Sequence, residues 1–128
     1  MKTLILIPIV VASALAAAAG LCRLAGVPLH GRDLLLAAGV AVVAAEAGMI
    51  PAILLRRSDP ELRAQAALGG TVVHMLLTIL IATAVMVARV VEPATPFVVW
   101  LTGAYWLSLG LLVWGLIGLA ARQPVKAK

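Results

Sequence analysis

LLLAAGVAVVAAEAGMIPAILL, residues 34 to 55, contains one ionisable group, Glu46, in a run of 22 residues. An α-helix advances ~1.5 Å per residue, so the run covers roughly 33 Å, enough to cross the ~30 Å hydrocarbon layer of a bilayer. Three more runs have this character: Thr3 to Ala25, Ala64 to Val91 and Phe97 to Ala121. Between them lie Gly26 to Asp33, Arg56 to Arg63 and Glu92 to Pro96, each combining proline with polar or charged residues, as expected where the chain leaves an apolar phase. The pattern predicts an all-α membrane protein, a single domain folded as a four-helix transmembrane bundle.

Composition supports this reading. Hydrophobic residues make up 64% of the 128 and charged residues 12%, against roughly 45–50% and 25% in a soluble domain. A separate soluble catalytic domain has no room beside four spans, and the chain reads as non-enzymatic. Lys2, the apolar run Leu4 to Val11 and the small residues Ala12 to Gly20 mimic a secretory signal with an A-x-A cleavage site, but the segment is read as a retained first span. Leu21 stands where a lipoprotein signal needs a small residue, and the lone Cys22 is read as packing.

The basic residues set the orientation. Lys2, Arg56, Arg57, Arg63, Arg122, Lys126 and Lys128 fall at one end of a four-span topology, and Arg23, Arg32 and Arg89 at the other. The positive-inside rule then places both termini and the central loop in the cytoplasm, in a multi-pass protein of a bacterial inner membrane. The net charge of +5 follows from this bias and from attraction to anionic lipid heads; no soluble basic stripe with interleaved aromatics suggests nucleic acid.

Small residues mark where helices should touch. In the second span Ala38, Ala41, Ala45 and Gly48 recur at helical spacing, and such stripes let backbones approach closely. With Gly70 on the third span and Gly110, Gly115 and Gly118 on the fourth, they form the expected helix-packing interface, which suits binding of another membrane subunit. Trp100 fits an interfacial belt. Trp106 and Trp114 lie deeper, where they fill space opposite glycines or stack on a pigment or quinone; packing is the preferred reading and no cofactor is predicted.

Glu46 is the first candidate for chemistry, because a charged side chain at the bilayer centre costs on the order of 3 kcal/mol. Pro51 cannot donate to the carbonyl of Ala47, which frees an acceptor beside it. Gly70, Thr71, His74 and Thr78 share one face of the third span, and antiparallel packing brings His74 to the depth of Glu46. The candidate ion or proton site is therefore Glu46, His74 and Thr78. The alternative is structural: a protonated Glu46 bonded across helices, and a His74 donating to a backbone carbonyl. Two side chains are too few for structural zinc, His30 lies in the opposite loop, and haem or chlorophyll ligation would fall to His74 alone. At the ends, Arg89 and Glu92 can pair on the third helix, Asp33 is an N-cap candidate for the second, and Asp59 or Ser58 serves the third.

Pro51-Ala52-Ile53-Leu54-Leu55-Arg56-Arg57 closing the second span, Ala67-Leu68-Gly69-Gly70 opening the third, and Pro96-Phe97-Val98-Val99-Trp100-Leu101 opening the fourth together resemble the ATP synthase protein I family. The resemblance implies four spans and an accessory role in assembling the membrane sector of the ATP synthase, with a role in divalent cation supply. The family commonly carries an acid and a lysine after the glycine of its third helix. Here that stretch holds Val73 and His74, so no site residue is carried over. Two other functions fit the same residues: a small ion- or proton-coupled transporter, as a homo-oligomer using Glu46 and His74, and a scaffold subunit of a respiratory or photosynthetic complex.

Overall fold

The computed structural model describes residues 2–28 and 30–121. It is all-α, with α1 Lys2–Leu24, α2 Gly31–Leu54, α3 Pro60–Val87 and α4 Ala94–Ala121. Each is long and apolar enough to cross a membrane, and the chain is a multi-pass membrane protein. Arg122, Lys126 and Lys128 of the expected basic end lie outside the described residues.

The helix ends depart from the sequence reading for local reasons. α3 starts four residues early because Pro60 takes its first turn, where the missing N–H is not needed, with Asp59 as N-cap. It stops at Val87, since Arg89 sits at φ 52°, outside helical space. The Arg89–Glu92 ion pair, Nε to Oε1 3.8 Å, consequently belongs to the connecting loop rather than to the helix. α2 begins at Gly31, with His30 as N-cap, so Asp33 lies inside the first turn and is not the cap. There its negative charge favours the positive end of the helix dipole. Pro8 and Pro51 are accommodated within α1 and α2, and the Leu55 N–H closes α2 on the Pro51 carbonyl.

α2 is the central helix. It packs against the other three, whereas α1 and α3 flank the α2/α4 pair and do not meet. Its stripe of small residues, Ala37, Ala41, Ala44, Ala45 and Gly48, is wholly buried. The main core joins Ala41, Ala45 and Met49 to Ile7, Val11 and Leu15 of α1 and to Ala104, Leu112 and Leu116 of α4, with Ala38 packed at its edge. A second cluster, Ala37, Ala82, Val91 and Phe97, closes the end that holds the α3–α4 loop. Trp100 packs against both clusters, and Cys22 is half-buried.

The closest approach is between α2 and α3. A methyl group built on Gly48 would lie 2.7 Å from the Gly70 carbonyl oxygen, and one on Gly70 would overlap the Gly48 carbonyl oxygen. These two glycines are where the helices cross. Gly115 is buried as expected, but Gly110 and Gly118 have open space at the Cβ position and are not points of close helix approach among the described residues. Trp106 and Trp114, 67% and 61% exposed, point away from the bundle, which corrects the expectation that they fill space opposite glycines.

Candidate functional site

The residues proposed as one polar site divide into two, on opposite sides of α2. His74 is fully buried, one turn beyond the glycine crossing; a methyl group on Gly48 would sit 3.3 Å from its Cβ. Its Nε2 lies 3.0 Å from Ser108 Oγ on α4, and its ring stacks on Tyr105 at a centroid distance of 5.1 Å. The Ser108 hydroxyl donates to the Tyr105 carbonyl at 3.0 Å. That bond uses the one hydroxyl hydrogen, so Ser108 accepts from the ring and the hydrogen of a neutral His74 sits on Nε2. Nδ1 is buried without a hydrogen-bond partner. His74 therefore ties α3 to α4 through a side chain, where the sequence pointed to a carboxylate or a backbone carbonyl.

Thr78 turns its hydroxyl back onto its own helix, donating to the His74 carbonyl at 2.7 Å. Ser13, Thr71 and Thr102 do the same with carbonyls three or four residues back, the usual way a membrane helix satisfies a hydroxyl internally.

Glu46 is elsewhere. Residues two apart on a helix differ by ~200° in direction, so Gly48 against α3 puts Glu46 on the far side of α2. There it is half-buried, in line with the exposed Leu35, Gly39, Val43, Ile50 and Leu54, which repeat at helical spacing along the outward face. Among the described residues it has no hydrogen bond and no ion pair. The expected meeting with His74 fails in azimuth rather than depth, since Gly48 is only ~3 Å along the axis from Glu46 and beside His74. Glu46 is thus a carboxyl near mid-depth on an apolar, outward face.

Ser108 is the hydrogen-bond partner of His74 that the sequence reading passed over. A depth count contains the signal: His74 lies 14 residues from the start of α3 and Ser108 lies 13 from the end of α4, which puts both at one level in antiparallel helices. Among the described residues no group of three or more His, Cys, Asp or Glu is placed to hold a metal ion. No family model, curated protein or solved structure matches the chain.

Proposed function

We propose that this chain is a non-enzymatic accessory protein of a bacterial inner membrane that docks a transmembrane helix of a partner subunit on the outward face of α2, with Glu46 as the polar anchor. The observation that carries this reading is the placement of Glu46. A carboxyl facing hydrocarbon without a partner in its own chain is costly, and a donor from a neighbouring helix removes that cost. Gly39, on the same face, is small enough for close approach. The buried alanine stripe serves the bundle itself, so the partner surface moves from that stripe to the opposite side of the same helix. Resemblance to the ATP synthase protein I family makes the membrane sector of the ATP synthase the first partner to test. A relay through Glu46 and His74 has less support, because α2 stands between them.

The test is co-purification in mild detergent with the ATP synthase membrane sector. Glu46→Leu removes the anchor and Val43→Trp obstructs the face, and neither touches the core. A hydrogen bond between membrane helices contributes ~1–2 kcal/mol at most, so Glu46→Leu is expected to weaken association roughly five- to thirtyfold. Undiminished recovery of the same companion with both variants would overturn the reading. A companion consisting only of a second copy of this chain, lost in the same variants, would replace the heterologous partner by a homo-oligomer.

A further inference from the structure

At the end of the bundle that carries the α2–α3 turn, a cavity of about 290 Å³ opens between the C-terminal turn of α2, the first turns of α3 and the last turns of α4. Two guanidinium groups, Arg56 and Arg63, line it, and the remaining wall is apolar, including Ala52, Ala67, Leu116 and Leu119. Nε and Nη1 of Arg63 are buried with no hydrogen-bond partner, and among the described residues no acid pairs with this side chain. Buried guanidinium nitrogens left without acceptors are costly, and their fork geometry matches a phosphate.

A second cavity, about 280 Å³, is lined by Ala67, Leu68, Thr71, Val113, Leu116 and Ile117 along the cleft between α3 and α4. It shares Ala67 and Leu116 with the first, so the two adjoin on either side of these residues. From Arg63 to Thr71 the cleft runs ~12 Å towards the middle of the bundle. A charged mouth at the end of a span, leading into an apolar cleft along it, has the polarity of a single lipid: phosphate outside, acyl chain inside. Free inorganic phosphate would use the mouth and leave the cleft unfilled.

We infer that the Arg63 cavity binds the phosphate of an anionic glycerophospholipid, whose acyl chain lies in the cleft between α3 and α4. Arg63 supplies the charge-assisted hydrogen bonds, and Arg56 lines the same cavity. Residue-level selection for an anionic head follows from Arg63, and selection for a lipid follows from the cleft.

Native mass spectrometry of the intact chain in detergent, titrated with phosphatidylglycerol, phosphatidylcholine or inorganic phosphate, tests the assignment. One phosphatidylglycerol is expected to bind in preference to phosphatidylcholine, and inorganic phosphate is not expected to displace it at equal concentration. Arg63→Gln is expected to weaken phosphatidylglycerol binding by about fivefold or more, whereas Arg57→Gln, at the same end but outside the cavity, leaves the bound stoichiometry intact. Ala67→Trp fills the cleft and is expected to reduce lipid binding with both arginines in place. Equal binding of the two lipids by the unaltered chain overturns the proposal without recourse to any variant. Equal losses in Arg57→Gln and Arg63→Gln would reduce the effect to diffuse surface charge, and displacement by inorganic phosphate would make the site one for a free anion; either result overturns it.

Discussion

His74 and Ser108 form a bond whose two ends are unequal. Ser108 already donates to the Tyr105 carbonyl, so its loss leaves that carbonyl with its own helix, but it deprives the His74 Nε2–H of an acceptor inside the core. Ser108→Ala is therefore expected to lower stability more through the stranded ring than through the missing hydroxyl. Bonds of this kind between membrane helices average ~0.6 kcal/mol in double-mutant cycles and reach about 1.7. Complete burial of the ring places this pair towards the upper part of that range. The check is a cycle of Ser108→Ala, His74→Phe and the double variant, followed by unfolding in detergent. A coupling indistinguishable from zero would show that stacking on Tyr105, not the hydrogen bond, holds the imidazole in place. The same comparison bears on function: Glu46→Gln leaves this cycle unchanged if the two sites are independent, as their separation by α2 requires.

Between elements, the Gly48–Gly70 crossing sets how closely α2 and α3 approach. Gly70→Ala is expected to destabilise the bundle, because its methyl group overlaps a backbone carbonyl that cannot rotate away; overpacking of this kind costs ~1–3 kcal/mol. Gly110→Ala meets nothing within 4 Å and is expected to be neutral or stabilising by up to ~1 kcal/mol through helix propensity. Thermal unfolding of the two variants separates a glycine that packs from one that merely occupies a helix; equal shifts would remove the crossing from its structural role. The contrast also explains what was legible beforehand. Four helices follow from four apolar runs, and the glycine-and-alanine stripe of α2 is visible as spacing alone. Which glycines pack is not, because a membrane helix is apolar towards lipid and towards protein alike, and the amphipathic signal that orients a soluble helix is missing. Residue type alone therefore points Gly110 and Trp106 inward, although both face out. Sequence counting supplies the depth that Glu46 and His74 share, and not the azimuth that separates them.

For the whole molecule, orientation is carried by charge at the two ends. Seven of the ten Lys and Arg residues are assigned to the end holding the termini and the α2–α3 turn, and three to the other. Of those three, Arg89 is paired with Glu92 and Arg32 adjoins Asp33, yet it is the basic count rather than net charge that governs insertion. The expected arrangement therefore has the α2–α3 turn, the Arg63 cavity and both termini on the cytoplasmic side. A single native cysteine makes this directly measurable. In a Cys22→Ser background, Val27→Cys places a thiol in the exposed α1–α2 loop, and Ser58→Cys places one in the α2–α3 turn. A membrane-impermeant maleimide added to spheroplasts should label the cysteine at position 27 directly and the one at position 58 only after the membrane is opened. The reverse pattern would invert the bundle and put the Arg63 cavity against the outer leaflet. The partner face of α2 is unaffected by that inversion, since Glu46 lies near mid-depth and its outward direction is fixed by the glycine crossing behind it. The labelling result consequently decides which leaflet supplies the anionic lipid, while the Glu46→Leu experiment decides whether a helix docks beside it.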